Sequence, residues 1–159
     1  MDQDPGYGAA AAGGLIALFV LLYVGIVVAA FAITYVLQAV GYQQLFRRVG
    51  IEPHIAWTPF YNTWKFLELG GQPGWIALLD LVPFGAYVRI VFVALAEHRV
   101  GISFGREAGW VVLGVFLPWL WCLVIAADGS VYDPRRLQAF GYPPPYAGYG
   151  SVPRPAGQF

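Results

Sequence analysis

The chain has 159 residues, of which 58% are hydrophobic and 11% charged, with nine basic and nine acidic side chains. A soluble domain carries about 25% charged residues, so this composition excludes an ordinary soluble domain, and it also excludes disorder, which needs low hydrophobicity. The zero net charge removes the electrostatic basis for binding nucleic acid, and the single Cys122 allows no intramolecular disulfide. We therefore predict an all-α integral membrane protein.

An uncharged run between Asp4 and Arg47 predicts the first transmembrane helix, over residues 13–37. A helix needs about 20 residues to cross the bilayer core, so this run is long enough for a tilted span. Residues 1–12 then form a short N-terminus outside the cytoplasm. The apolar run follows Asp2 and Asp4 instead of basic residues, which argues against a secretory signal peptide.

Residues 59–69 predict a short helix between the first two spans. The pair Thr58-Pro59 is typical of an N-cap followed by the first helical position, and Gly70-Gly71 is a stop signal. Polar and apolar side chains fall on different faces, so we expect the helix to lie in the headgroup region. A re-entrant segment is the alternative. The residues that mark this interfacial motif are Pro59, Tyr61, Asn62, Trp64 and Lys65.

A second span is predicted over residues 75–96 and a third over residues 108–127. The third run is uncharged and ends at Asp128. Pro83 lies inside the second span and Pro118 inside the third, and each predicts a helix break because proline cannot continue the hydrogen-bond ladder.

Asp80 and Arg89 are ionisable residues inside the predicted second span. Such residues are costly in a bilayer and are functional candidates by default. Their spacing of nine residues places them on opposite faces of a straight helix, so they are not expected to pair unless Pro83 kinks the helix. Two roles stay open: a structural role, with Arg89 reaching toward the interface, or a transport path.

The sequence predicts no catalytic site, no metal site and no cofactor. Residues 101–105 match the G-x-S-x-G pattern of serine hydrolases around Ser103, but no strand precedes them and His98 lies in the same predicted loop. Neither His54 nor His98 has the spaced second ligand of a zinc site. We expect that the protein is not an enzyme.

Basic residues in short loops predict the orientation. The predicted first loop and tail hold six of them, the second loop holds two, and the N-terminus holds none. This pattern places the N-terminus outside and the C-terminus in the cytoplasm. Residues 13–132 then form a three-helix membrane domain, and residues 133–159, rich in Pro, Gly and Tyr, form a disordered cytoplasmic tail.

Several ordered motifs resemble one family. They are AWTPFYNTW at residues 56–64, GGQPGW at 70–75, LVP at 81–83, FGREAG at 104–109, LP at 117–118 and DGSVY at 128–132. Together they resemble the domain-of-unknown-function family 5684, an uncharacterised family of small bacterial multi-pass membrane proteins. The resemblance implies a multi-pass fold with no assigned activity. It also implies apolar residues where this chain has Asp80 and Arg89, so these two are departures from the family pattern.

We therefore expect a small multi-pass protein of a bacterial cell membrane, whose partners are the lipid bilayer and either a second copy or another membrane protein. Gly25 and Ala29 form a small-xxx-small pair of the kind that lets membrane helices approach closely. Association without catalysis is the favoured function. The alternative is a small transporter or channel subunit that uses Asp80 and Arg89.

Overall fold

The computed structural model describes residues 5–150, with side chains from residue 12 onward. Residues 1–4 of the predicted N-terminus and residues 151–159 of the predicted tail lie outside the described residues. The described chain is all-helical, as predicted. Its α-helices are α1 (Pro5–Val49), α2 (Tyr61–Leu69), α3 (Gly85–Ser103), α4 (Trp110–Phe116), α5 (Pro118–Ala127) and α6 (Arg135–Ala139), and its 3₁₀ helices are Pro53–Trp57 and Gly74–Leu81.

The described part of the chain divides into two compact units, the first ending at residue 36 and the second beginning at residue 37. In the first unit, the described side chains of α1 are almost all exposed, and most are apolar. Among the residues that the structure describes, α1 is the one helix long and apolar enough to cross a membrane. It extends beyond the predicted span at both ends, because no proline interrupts the sequence between Pro5 and Pro53.

The second unit has its own hydrophobic core. The C-terminal part of α1 contributes a stripe of buried residues with helical spacing, which is the pattern of an amphipathic helix. These residues are Ala39, Tyr42, Leu45, Phe46 and Val49. The Tyr42 and Phe66 rings stack with their centroids 5.0 Å apart. The Phe66 and Trp121 rings are perpendicular, with their centroids 6.2 Å apart. The core therefore joins α1, α2 and α5.

The predicted second span is not one helix. It begins as the 3₁₀ helix Gly74–Leu81 and continues, after a turn, as α3. Gln72 Nε2 donates a hydrogen bond to the Phe92 carbonyl at 3.0 Å, whereas a straight helix would separate these residues by about 30 Å. The segment is therefore a hairpin whose two ends meet.

The turn of this first hairpin follows from Pro83 and the residues after it. The Gly85 N–H donates to the Val82 carbonyl at 2.9 Å, and Phe84 has φ 63° and ψ −4°. Proline followed by a residue with positive φ is the pattern of a type II turn. Gly85 is required because a Cβ there would overlap the Leu79 carbonyl.

The predicted third span is a second hairpin. The chain breaks at Leu117, which has φ −137° and ψ 67°, and α5 starts at Pro118. Arg106 forms an ion pair with Asp128, although a straight helix would hold these two residues about 33 Å apart. The chain thus breaks where Pro118 predicts a helix break, and its two halves fold back instead of forming one continuous span.

The tail also differs from its predicted disorder. Residues 135–139 form α6, in which Leu137 is buried. Farther along, the Tyr146 N–H donates to the Glu68 carbonyl at 2.8 Å, and the Gly150 N–H donates to the Val49 carbonyl at 2.9 Å. The described part of the tail is ordered because its backbone hydrogen-bonds to α2 and to the end of α1, which its Pro- and Gly-rich composition does not reveal.

Candidate functional site

Helix α2 starts two residues later than predicted. Phe60 has φ 60° and ψ −41°, and the Tyr61 N–H donates to the Pro59 carbonyl at 2.6 Å, which is the geometry of a strained γ-turn. The prediction that Thr58 caps the helix and Pro59 begins it is therefore wrong, because the backbone reverses at Phe60 before the helix can form.

Asn62 is buried at the start of α2. Its Nδ2 donates to the Ala56 carbonyl at 3.1 Å, and its Oδ1 accepts a hydrogen bond from the Thr63 N–H at 2.6 Å. Both ends of the amide are satisfied, which offsets the free-energy cost of burying it. Asn62 thus ties α2 to the 3₁₀ helix that precedes it.

Trp64 and Lys65 share one carboxylate. Trp64 Nε1 donates to Glu68 Oε1 at 2.7 Å, and Lys65 Nζ donates to Glu68 Oε2 at 2.7 Å. Lys65 Nζ also lies 5.4 Å from the centre of the Tyr61 ring. Gly74 leaves room for the indole, since a Cβ there would overlap Trp64. These residues of the predicted motif therefore stabilise α2 and position the next element.

Asp80 and Arg89 form an ion pair across the first hairpin. Arg89 Nε donates to Asp80 Oδ1 at 2.6 Å, with the two side chains 25% and 31% exposed, respectively. This corrects the expectation that the residues face opposite ways. The reason is the turn at Pro83, which sends α3 back along the 3₁₀ helix.

Arg48 binds the end of α5, a role that the sequence did not reveal. Its Nη1 donates to the carbonyls of Ala126 and Asp128 at 2.9 and 3.0 Å, and its Nη2 donates to the Ser130 carbonyl at 2.6 Å. The last carbonyls of a helix lack intrahelical partners and carry partial negative charge. Arg48 therefore caps α5 from the end of α1.

The flanks of the two hairpins lie together with the tail. Arg99 Nη1 donates to the carbonyls of Gly70 and Gly71, each at 3.2 Å, and the Asp133 N–H donates to the Ser103 carbonyl at 2.9 Å. These bonds join the first loop, the end of α3 and the start of the tail. The sequence prediction had placed the second loop and the tail on opposite sides of a membrane.

Ser103 and His98 both belong to α3, although a loop was predicted here. The Ser103 hydroxyl is buried and donates to the Arg99 carbonyl at 3.2 Å, and the His98 ring meets the edge of Tyr142 at 6.1 Å. Ser103 lies at the C-terminal end of a helix, whereas the hydrolase motif requires a strand-to-helix turn. This arrangement does not present Ser103 as a nucleophile.

Glu97 is the polar residue that sequence reasoning missed. It is only 2% exposed, and within the described residues its Oε2 has no hydrogen-bond partner. Burial raises the pKa of Glu97 to about 8, because desolvation disfavours the charged form. In the sequence, the charged cluster Glu97-His98-Arg99 indicates the end of a span. Only the tertiary contacts of α3 reveal that the Glu97 side chain is buried.

A small cavity adjoins Glu97. Its volume is about 150 Å³, and it lies against α3 and the second hairpin, where its lining includes Arg89, Glu97, Gly114 and Pro118. Among the residues that the structure describes, no group of three His, Cys, Asp or Glu side chains is placed to hold a metal ion. The cavity is therefore a site with one acid and one guanidinium.

Comparison with known proteins gives one family. Residues 55–133 match the family of unknown function DUF5684, which agrees with the resemblance carried by the ordered motifs. No curated protein and no solved structure matches the chain.

Proposed function

The chain belongs to the family of unknown function DUF5684, and we propose that it is a non-catalytic protein of a bacterial cytoplasmic membrane that acts by association with itself or with another membrane protein. The observation that carries this proposal is the exposed, apolar surface of α1 from Ala12 to Val36. Such a surface needs lipid or another apolar helix around it.

We further propose a revised topology, in which α1 crosses the membrane with its N-terminus outside and the second unit lies on the cytoplasmic side. In this arrangement both hairpins begin and end on one side, in keeping with the Arg106–Asp128 ion pair and the hydrogen bond from Gln72 to Phe92. The three-span topology is the competing interpretation, and it requires these contacts to be separated by the bilayer.

The distribution of basic residues supports the revised topology. All nine lie between residues 47 and 154, after the exposed part of α1. In the three-span topology Arg99 and Arg106 face outward, against the positive-inside rule. With one crossing, both join the other basic residues on the cytoplasmic side, so the rule holds without exceptions.

The turns of the hairpins support contact with lipid. Phe84 is 81% exposed and Phe116 is 78% exposed, and other apolar side chains around them are also exposed. Phe84 has a left-handed backbone conformation that favours glycine. Because the Phe84 side chain is exposed, it is not stabilised by burial against the rest of the second unit. This supports a role for Phe84 in the bilayer interface.

A transporter or channel subunit is the second candidate. It is favoured by the partial exposure of Asp80 and Arg89, which leaves both able to face a second copy of the chain. Their mutual ion pair favours the structural role, because pairing is the usual way to keep charges near lipid.

The association proposal is tested on the full chain in mild detergent by chemical cross-linking and by mass measurement. Gly25 has open space around it within the described residues, so Gly25→Leu changes the surface of α1 without a clash inside the chain. We expect an oligomer or a stoichiometric complex that Gly25→Leu weakens. Gly14→Leu, which also enters open space, is the matched control. A wild-type chain that is monomeric and without a bound protein would contradict the proposal.

A further inference from the structure

Glu97 is held in a setting that is unusual for a carboxyl group. It lies on α3 with 2% of its surface exposed, and its Oε2 has no hydrogen-bond partner in the described part of the chain. A buried carboxylate without partners is strongly disfavoured, and the usual response is protonation. The structure thus favours the neutral form of this side chain.

The second hairpin is shaped around the Glu97 carboxyl. A Cβ at Gly114 would overlap Glu97 Oε2, so a larger residue at this position requires the carboxyl group to move. Two residues after Phe116, Pro118 lines the cavity at the break between α4 and α5. The cavity of about 150 Å³ is large enough for several water molecules, since one water occupies about 30 Å³. The Glu97 carboxyl group therefore packs closely against Gly114 and has space for solvent beside it.

The charged and titratable groups around Glu97 come from three helices. Arg89, on α3 itself, lines the same cavity and is held by Asp80. Tyr42 on α1 and Cys122 on α5 are buried. Burial is the main cause that raises the pKa of each, and the nearby Glu97 raises it further. Of these neighbours only Arg89 carries a positive charge, and its guanidinium is paired with Asp80.

We propose that Glu97 and its cavity form a proton-binding site, in which the carboxyl group releases its proton to water in the cavity and takes it up again from there. The release leaves a carboxylate beside a cavity that Arg89 also lines. This proposal depends neither on the association of the chain nor on its topology, because every group in it belongs to the second unit.

The test is infrared difference spectroscopy of the full chain in detergent as the pH is raised. We expect a protonated carboxyl band that is lost with a midpoint near pH 8, that is absent in Glu97→Gln, and that persists in Glu107→Gln, whose side chain is exposed. A wild-type spectrum without such a band, or a band that persists in Glu97→Gln, would overturn the proposal.

Two further variants keep the test decisive if Glu97→Gln does not fold. Arg89→Leu removes the positive charge at the cavity, so the midpoint should move to higher pH. Gly114→Ala moves the Glu97 carboxyl group away from its buried position. The midpoint of the carboxyl titration should therefore move toward the value of an exposed glutamate, about 4.3. Unchanged midpoints in both variants would refute the site. A midpoint that depends on the concentration of Na⁺ or K⁺ would indicate an alkali-cation site instead and would overturn the proton site.

Discussion

The burial of Glu97 leads to a specific pH dependence of stability. Burial raises the pKa of Glu97 in the folded chain to about 8, whereas an exposed glutamate titrates at about 4.3. Between these values the folded chain holds a proton that the unfolded chain has released, so the free energy of unfolding falls as the pH rises. One such group contributes a slope of about 1.4 kcal/mol per pH unit, or roughly 3–4 kcal/mol accumulated by pH 7.

Glu97→Gln removes this contribution, because glutamine stays neutral at every pH. The free energy of unfolding, measured by denaturant titration in detergent from about pH 5 to about pH 9, should be similar for both chains at low pH. The difference should grow in favour of the variant up to the folded pKa and then level off. Glu107→Gln is the control and should keep the wild-type slope. Equal slopes for wild type and Glu97→Gln would refute the reasoning.

Three further predictions concern the hairpins and the end of α1. Gly109 and Gly129 both have open space, so each can be replaced by cysteine in a chain without Cys122. Both cysteines should react with an impermeant reagent only from the cytoplasmic side. Labelling of the cysteine at position 109 from outside would instead support the three-span topology. Phe84→Gly relieves the strain of a left-handed conformation at a non-glycine residue and should raise the stability in detergent by about 1 kcal/mol while weakening vesicle binding of the second unit. A loss of stability would contradict this. Arg48→Leu should lower the free energy of unfolding by about 1–3 kcal/mol, as measured by denaturant titration. The exposed neighbour Arg47 is the control, and equal losses at both positions would exclude the capping role.

The sequence alone was sufficient for the features that depend on local composition. The uncharged run at residues 13–37 predicts a long apolar helix, and α1 contains it. The all-helical class follows from the same runs, and the stop at Gly70 agrees with the end of α2. The ordered motifs were enough to identify the family. These features are readable because helix propensity, hydropathy and family motifs are properties of short stretches.

Tertiary structure decided where those stretches lie. Hydropathy describes residues 75–96 and 108–127 as spans, but it carries no information on whether the two ends of each run meet. The ends of the second run do meet, because Arg106 and Asp128 on its flanks form an ion pair. The same limit hid the pairing of Asp80 with Arg89, since a helical wheel assumes a straight axis and Pro83 bends it. The sequence places Glu97 at the end of a predicted span, and only the tertiary structure brings Gly114 against its carboxyl group. The low charge content of the chain predicts a membrane protein, while the partners of its few charges depend on contacts between residues far apart in sequence.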